Sequence, residues 1–512
     1  MIDNNILSTL WIQGELDEFT KLCLESWVNL GYCVDLYTYN TSVMESHSDY
    51  HPNITIKDAE LICERDPNED YSPQADLFRY NLALKFQKEK KHYIWIDSDM
   101  FLLRRFPNDK NIISSEHTKK IGAFKSINDY VPNIGLLQFL PNYNKINWEK
   151  ILERCKNSKK EQNSNRNNYM KIFQKEIKGL EIIVEPNAFC GISWANWKDL
   201  YTGMSCESKF GMNVVTDFYQ LINLPSVFGL HLWRNLKNKN TCSVNSDSLF
   251  HKLYRINQLR LLKVFVPTYR RKNLLETTTV DYLTRSFILK DQIYLVIDTN
   301  DNSYESLDIK KIKCPYNGIG RVRSWVLNEC DIINHGDTII MIDDDIEHFI
   351  NSQNQKVYLD EMLPMTINEM EKRNCYFGGF PLCSNPFFLK DKYTTNLVYI
   401  SGAVQIHRID RTRTEVTTHL KQYEDYHFNI QYFLRDTKYL RNNRFAPITN
   451  HYNPVGGIVE TYGSLKKRLE DCKVSGEWLV NEYPTMCELY WKKGSARVPP
   501  SYNIKLNTYF TF

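Results

Sequence analysis

Two apolar segments of this chain each run directly into clustered aspartates. The first, HYIWIDSD, ends on Asp97 and Asp99, and the second, TIIMIDDD, ends on Asp343, Asp344 and Asp345. A short apolar run bounded by polar residues is typical of a strand that is buried on both faces, as in a parallel sheet. Ligands bind at the edge where the carboxyl ends of parallel strands meet. The chain is therefore predicted to bring negative charge to such an edge twice.

The segments around both strands alternate between strand and helix patterns. In the first half, the strand patterns NILSTLWIQG and CVDLYTYN flank the helix pattern LDEFTKLCLESWVNLG, and the helix pattern SPQADLFRYNLALKFQKEK precedes HYIWIDSD. In the second half, the strand patterns LLKVFVPTYRR, QIYLVID and TIIMIDDD alternate with the helix patterns NLLETTTVDYLTRS and GRVRSWVLNECDII. Such alternation predicts an α/β fold whose mainly parallel sheets have helices on both faces.

The length of the chain implies more than one domain. Its 512 residues exceed what one hydrophobic core usually serves, so two domains of about 200 to 250 residues are expected. The polar segment RNLKNKNTCSVNSDS separates the two series of strands and helices. We therefore predict a first domain at residues 1–240, a linker at 241–260 and a second domain at 261–512, with related folds in tandem.

Charge, cysteine usage and hydropathy exclude several classes of protein. The chain has 64 Lys and Arg against 61 Asp and Glu, which gives no electrostatic reason to expect a nucleic-acid partner. Its 13 cysteines include no CxxC pair, which favours a reducing compartment over a disulfide framework. No signal-peptide pattern and no apolar run of transmembrane length is present. A cytoplasmic protein is expected.

Clustered carboxylates at a sheet edge repel one another unless a cation joins them. Mg²⁺ and Mn²⁺ prefer oxygen ligands, and they complete their shells with water and substrate phosphates. An ion held in this way stabilises a diphosphate leaving group such as that of a nucleotide sugar. Aspartates are also common in solvated turns for backbone reasons, and this alternative stays open for each motif taken alone.

The first half resembles the retaining DxD glycosyltransferases of the GT-A fold, the group around glycosyltransferase family 32 and the large glucosylating toxins. The matching segments are LSTLWIQG, ESWVNLGYCVDLYTYN, SPQADLFRYNLAL, YIWIDSDM and FGLHLWRN. The resemblance implies that Asp76 and Arg79 contact the donor sugar. It also implies that Asp97 and Asp99 bind the metal ion, with Asp97 contacting the donor as well. Further implied donor contacts are Trp11 and Gly14 at the donor-base end, and His231 and Trp233 in the loop that closes the pocket.

Some of these positions also have ordinary structural explanations. Asp76 and Arg79 have the i, i+3 spacing of a pair on a helix surface. A single histidine such as His231 in an apolar strand is commonly a core residue. The sequence leaves both explanations open.

The second half resembles a different branch of the GT-A fold, the family 2-like enzymes and especially the TET-associated glycosyltransferases of large DNA viruses and phages. The matching segments are VFVPTYRR, LVID, NGIGRVRSWVL, MIDDD, SGAVQIHR, YEDYHF and NHYN. The resemblance implies that Asp343 and Asp345 hold a metal ion, with His451 as a further ligand or phosphate contact. The implied donor site consists of Pro267, Thr268 and Asp298 at the nucleobase end, Arg321 and Arg323 near the diphosphate, and Asp343.

The adjacent acids Glu424 and Asp425 precede a predicted helix. An inverting transfer needs a general base that removes the proton of the acceptor hydroxyl. Position within the acid pair of the family favours Asp425, with Glu424 as the second candidate. Acids at a helix N-terminus also complement the helix dipole, so the pair has a structural explanation too. The first half shows no such base, and retaining transfer does not need one because the leaving phosphate can take the proton.

Together these patterns predict a bifunctional glycosyltransferase, with retaining transfer in the first half and inverting transfer in the second. Its partners would be a UDP- or GDP-sugar donor and a glycan or glycoprotein acceptor, and its cofactor would be Mn²⁺ or Mg²⁺. If the source is viral, as the second resemblance suggests, the expected location is the host cytoplasm or the virion. Two alternatives stay open. One is a nucleotidyltransferase whose aspartates hold two metal ions, and the other is a non-catalytic glycan-binding scaffold with degenerate transferase folds.

Overall fold

The structure is a computed structural model. It describes residues 6–12, 14–40, 51–117, 130–160, 168–184, 188–190, 218–232, 249–383, 385–449, 465–493 and 501–509. The chain divides into two compact units, Met1–Asn257 and Gln258–Phe512. A helix at Leu249–Leu259 lies within the stretch 241–260 predicted as a linker, and residues 241–248 lie outside the described part. The boundaries 1–240, 241–260 and 261–512 stay a proposal.

The first unit alternates strands and helices along the chain, as its sequence predicts. Its strands are β1 (Ile6–Trp11), β2 (Cys33–Thr38), β3 (Ile54–Asp58), β4 (Tyr93–Ile96), β5 (Met100–Leu102), β6 (Ile112–His117), β7 (Tyr130–Phe139) and β8 (Gly229–His231). Its helices are α1 (Glu18–Val28), α2 (Tyr71–Lys88), α3 (Trp148–Lys160), α4 (Asn168–Glu176) and α5 (Phe218–Asn223), and α6 (Leu249–Leu259) spans the division between the units.

Six of these strands form one sheet in the order β3-β2-β1-β4-β7-β6. The first four in this order run parallel, and β7 pairs antiparallel with both β4 and β6. All four residues of β4 are buried, as the apolar sequence YIWI predicts, because β4 lies between two other strands. The helix α2 contributes Phe78, Tyr80 and Leu82 to the same apolar core as Trp95 of β4. This packing fixes α2 beside the strand that carries the first acid motif.

The second unit repeats the alternation with more strands. Its strands are β9 (Lys263–Pro267), β10 (Ile293–Asp298), β11 (Lys310–Cys314), β12 (Thr338–Ile342), β13 (Ile346–Ile350), β14 (Lys356–Val357), β15 (Phe377–Gly379), β16 (Tyr393–Thr394), β17 (Val404–Arg408), β18 (Leu440–Asn442), β19 (Ala446–Thr449), β20 (Cys487–Lys492) and β21 (Ser501–Leu506). Its helices are α7 (Lys272–Leu275), α8 (Asp281–Arg285), α9 (Ile319–Asn328), α10 (Leu359–Lys372), α11 (Glu424–Asp436) and α12 (Leu465–Glu482). A π-helical turn, Glu276–Val280, joins α7 to α8, and 3-10 turns lie at Lys290–Gln292 and Pro386–Phe388.

The main sheet of the second unit has the order β11-β10-β9-β12-β17-β15-β18-β16. Its first four strands in this order are parallel, and β17 pairs antiparallel with β12. One side of the sheet carries Val264, Ile340 and Ile406 in one apolar core. The other side carries Phe265 and Met341 in a second core. The predicted α/β class, with mainly parallel strands and apolar layers on both faces, is confirmed.

The two units order their first strands in the same way. In each, the third, second, first and fourth long strands lie side by side and parallel, and an antiparallel strand follows the fourth. The acid motif comes directly after the fourth strand in both, after β4 in the first unit and after β12 in the second. The two motifs therefore occupy equivalent positions in two similar sheets, although the sequences of the two halves show no evident repeat.

Two further properties of the described residues bear on the sequence predictions. The eleven cysteines within them are all free thiols, in line with the absence of a disulfide framework. Among the described helices, none combines the length and the apolar character needed to cross a bilayer.

Candidate active site

Three potential metal ligands converge just beyond the carboxyl end of β4. Asp97 and Asp99 follow this strand, and His231 is the last residue of β8; one ligand atom of each lies within 4.8 Å of the others. Nε2 of His231 is 3.1 Å from Oδ1 of Asp99. Over the described part of the chain, this is the one group of three such side chains that meets so closely.

The short strand pair β5–β8 brings His231 to the acids. Met100 of β5 lies opposite His231 in this antiparallel pair, and the N–H of Leu232 donates to the carbonyl of Asp99 at 2.9 Å. The Nε1–H of Trp27 in α1 donates to the carbonyl of Met100 at 2.7 Å. Because these backbone contacts fix the register, the imidazole is held on the side of the pair where the acids lie.

Asp97 forms an ion pair with Arg79 of α2. An Arg79 guanidinium nitrogen lies 3.0 Å from Oδ1 of Asp97 and 3.8 Å from Oδ1 of Asp76. The same guanidinium donates to the carbonyl of Ile134 at 2.9 Å and lies 4.9 Å from the centre of the Trp95 ring. Arg79 and Asp76 are both buried, so their i, i+3 spacing does not produce a surface pair. Arg79 instead joins α2 to the acid motif.

Burial changes the proton affinity of these groups. Burial raises the pKa of Asp76 to about 7, against the charge of Arg79, which lowers it. Burial alone would lower the pKa of His231, but the charge of Asp99 and its hydrogen bond raise this pKa well above its usual value. The neighbouring Asp99 carboxylate therefore favours the protonated form of the His231 ring.

The remaining predicted residues of the first unit are only partly described. Trp11, at the end of β1, is buried, and its Nε1–H donates to the carbonyl of the exposed Gly14 at 2.7 Å. The two residues predicted at the donor-base end therefore contact each other. Trp233 lies outside the described residues.

Arg323 is the centre of the acid site in the second unit. Its guanidinium donates to Oδ1 of Asp343 at 2.6 Å, to Oε1 of Glu424 at 2.8 Å and to the carbonyl of Gly402 at 2.7 Å. Only 2% of the Arg323 side chain is exposed. A Cβ atom at Gly402 would lie 2.6 Å from the guanidinium, so a side chain at this position would displace Arg323. The fold thus brings together three predicted site residues from α9, from the end of β12 and from α11.

The two candidate bases have different environments. Asp425 accepts hydrogen bonds from the Tyr399 hydroxyl, from the Gly402 N–H and from the Tyr426 N–H. Burial raises the pKa of Asp425 and these bonds lower it. Burial, followed by the charge of Asp425, raises the pKa of Glu424 to about 7. Hydrogen bonds to a carboxylate weaken it as a base; Asp425 accepts three of them, and Glu424 accepts one from Arg323.

The other two acids of the DDD motif face a second arginine. Oδ1 of Asp344 lies 3.1 Å from the Arg271 guanidinium, and Oδ2 of Asp345 lies 3.6 Å from it. Asp344 also accepts a hydrogen bond from the predicted donor residue Thr268 at 2.7 Å. Burial, together with the charges of its two neighbours, raises the pKa of Asp345 to about 7. Thr268 and the DDD motif therefore form one site.

The other residues predicted for the second donor site are distributed differently. Pro267 is buried at the end of β9, and Asp298 ends β10, so both lie at the carboxyl edge of the parallel strands. Arg321 is exposed, unlike Arg323 two residues later on α9. His451 lies outside the described residues.

The two acid sites differ in how well they suit a divalent ion. In the first unit, two carboxylates and an imidazole converge, a donor set that suits Mn²⁺ and related ions. In the second unit, Asp343 and Asp345 each face a guanidinium, and the described residues bring no third ligand to them. Metal binding by Asp343, Asp345 and His451 stays a prediction, and no step is derived from it.

Sequence reasoning missed several residues of these sites. Arg271 and Tyr399 were not singled out, although Arg271 lies in the quoted VFVPTYRR segment directly after β9. Cys190 was also missed; its Sγ lies 3.9 Å from Nδ1 of His231. A basic residue after a parallel strand is a usable signal for Arg271, whereas Tyr399 and Cys190 reach the sites through long-range packing.

Comparison with known proteins agrees with the enzyme class predicted from the sequence. The conserved region of alpha 1,4-glycosyltransferases matches residues 136–264, which include His231. No curated protein matches the chain. The predicted class, a glycosyltransferase, is supported at this level.

Two solved structures resemble parts of this chain. GlyE, a glycosyltransferase of Streptococcus pneumoniae TIGR4, is 13% identical with a TM-score of 0.32, over 61% of this chain and 81% of GlyE. An active-site mutant of LgtC is 11% identical with a TM-score of 0.31, over 49% of this chain and 95% of LgtC. These identities are too low to transfer the role of any residue.

Proposed function

We propose that the first unit is a metal-dependent glycosyltransferase that takes a sugar from a UDP- or GDP-sugar donor and passes it to a glycan or glycoprotein acceptor. The observation that carries this proposal is the convergence of Asp97, Asp99 and His231 beyond the carboxyl end of β4. The match of residues 136–264 to an alpha 1,4-glycosyltransferase region supports it.

Each residue of this site has a separate task in the proposal. Asp97, Asp99 and His231 would hold a divalent ion, which, when bound, supplies positive charge to the departing diphosphate of the donor. Arg79 fixes the position of Asp97. Asp76 and Arg79 contact the donor sugar. The transfer retains the anomeric configuration, with the leaving phosphate accepting the proton of the acceptor.

We expect Arg79→Lys to reduce the donor turnover of the first unit. Lysine keeps the charge, but it cannot contact Asp76, Asp97 and the carbonyl of Ile134 at the same time, because it lacks the planar fork of donors. Loss of such a supporting contact should lower turnover by about 10- to 100-fold. Release of nucleoside diphosphate from a UDP-sugar in the presence of Mn²⁺ measures the effect.

Arg65→Lys is the matched control, since Arg65 is exposed and lies in the same unit. It should leave turnover unchanged. If Arg79→Lys matches this control, the guanidinium is not needed to hold Asp97.

We further propose that the second unit carries out an inverting transfer, so that the chain is bifunctional. In this proposal Glu424 removes the proton of the acceptor hydroxyl, and Asp425 is the second candidate for that role. Arg323 orients Glu424 and Asp343, and Thr268, Pro267 and Asp298 border the donor site. The grouping of Arg323, Asp343 and Glu424 in one buried network supports this assignment.

One comparison tests the proposed function against its rivals. The full chain is incubated with Mn²⁺ and either a panel of UDP- and GDP-sugars or nucleoside triphosphates. Slow, Mn²⁺-dependent hydrolysis of a nucleotide sugar supports glycosyl transfer. Release of pyrophosphate from a triphosphate would support a nucleotidyltransferase, and turnover of neither, together with glycan binding, would support a scaffold.

A further inference from the structure

The proposed cation site depends on one imidazole, and the two nitrogens of that ring face different partners. Nε2 of His231 lies 3.1 Å from Asp99, and Nδ1 lies 3.9 Å from Sγ of Cys190. For Nε2 to offer its lone pair to a cation, the proton of the neutral ring must be on Nδ1. A buried N–H requires a hydrogen-bond acceptor. The group next to Nδ1 therefore determines whether the ring is ready to bind a cation.

The backbone fixes Cys190 beside this ring. Residues 188–190 run along β8: the N–H of Phe228 donates to the carbonyl of Ala188 at 2.8 Å, and the N–H of His231 donates to the carbonyl of Phe189 at 2.9 Å. Cys190 itself forms an antiparallel bridge with Leu230. Only 1% of Cys190 is exposed, so the sulfur is shielded from bulk water.

The chemistry of the thiol suits this position. A thiol sulfur is a weak hydrogen-bond acceptor, and Sγ of Cys190 lies 3.9 Å from Nδ1 of His231. Glu116 also lies close enough to His231 for their charges to interact.

We propose that Cys190 is a positioning residue for the cation site of the first unit. Its sulfur accepts the Nδ1 proton of His231, fixes the tautomer of the ring and keeps Nε2 directed at Asp99. This inference rests on the proposed function of Asp97, Asp99 and His231 as cation ligands. Partners behind a metal-binding imidazole typically change metal affinity by about 10- to 100-fold.

The test measures Mn²⁺ binding to the full chain without any substrate. Electron paramagnetic resonance reports the free ion, and the site is defined as the Mn²⁺ binding that Asp99→Asn removes. Cys190→Ala and Cys190→Ser differ by one acceptor oxygen. We expect the alanine variant to weaken binding by about 10-fold or more, and the serine variant to stay close to the unchanged chain. Cys330→Ala, at a buried thiol of the second unit, is the matched control and should have no effect.

A second experiment measures the tautomer of the His231 ring by NMR. In a chain labelled with ¹⁵N in its histidines and saturated with Mg²⁺, the signal that His231→Ala removes should show a protonated Nδ1. Cys190→Ala should replace this signal by that of a mixture of tautomers. If the alanine variant does not yield folded protein, Cys190→Val, which also lacks an acceptor, takes its place.

The outcomes separate this inference from the proposed function. If Cys190→Ala binds Mn²⁺ as tightly as the unchanged chain while His231→Ala loses affinity, the role of Cys190 is overturned and the cation site stands. If the serine variant is as weak as the alanine variant, the effect belongs to packing and the inference is also overturned. If both His231→Ala and Asp99→Asn leave Mn²⁺ binding unchanged, the proposed cation site itself fails.

Discussion

Asp99→Asn is expected to lower the donor turnover of the first unit by about 10³-fold, the rate equivalent of losing several kcal/mol of charge stabilisation at the leaving group. The substitution keeps the size of the side chain but replaces a charged oxygen ligand by a neutral one. It also removes the charge that faces His231 at 3.1 Å. Initial rates of nucleoside diphosphate release, measured across a Mn²⁺ titration, should show both a lower maximum and a weaker apparent affinity for the ion.

The rates should be measured in a chain that also carries Glu424→Gln, so that residual turnover is assigned to one unit. Asp109→Asn is the matched control, because Asp109 is an exposed acid in the same unit. Turnover of the Asp99→Asn chain within a few-fold of this control would show that the first unit does not use Asp99 as a ligand.

Glu424→Gln is expected to reduce transfer by the second unit by about 10²- to 10⁴-fold, the usual contribution of a positioned general base. Nucleotide-sugar affinity should persist, because glutamine can still accept the hydrogen bond from Arg323. A base acts only when it has lost its proton. Since the pKa of Glu424 is raised to about 7 by burial and then by Asp425, transfer should rise with pH until about pH 7 and then level off. Glu424→Gln should remove this rise.

Asp425→Asn is the comparison that distinguishes the two acids. Asp425 is held by three hydrogen bonds, so its substitution should disturb Tyr399 and Gly402 while the pH dependence of transfer stays in place. A larger loss in Asp425→Asn, with the rise toward pH 7 kept in Glu424→Gln, would assign the base to Asp425. NMR of the new linkage gives a separate check. Retention of configuration by the second unit would remove the need for a base at either position.

The sequence predicted the strands better than it predicted the contacts between them. The apolar runs YIWI and TIIMI, each followed by acids, are central strands in the structure, because a period-free apolar run has few other places in a soluble fold. The acids follow at the sheet edge for the same reason. This local pattern alone predicts the α/β class and the placement of Asp97 and Asp343 at the sheet edge.

The partners of the acids could not be predicted in this way. His231 was assigned to a loop near the donor, and its place beside Asp99 depends on the pairing of β5 with β8, which no local pattern specifies. Arg321 and Arg323 looked alike in the sequence. In the structure Arg321 is exposed and Arg323 is buried, because residues two positions apart on a helix lie on different sides of it.

The pairing of β5 with β8 also sets an order of events during synthesis. Asp99 and His231 are 132 residues apart, so at about 5–20 residues per second the histidine is added roughly ten seconds after the acid. A ribosome-bound chain that ends before β8 has both aspartates of the first motif but not the imidazole. The proposed cation site is therefore complete only in chains in which the ribosome has passed residue 231. A message truncated upstream of that codon yields a product without the complete ligand set.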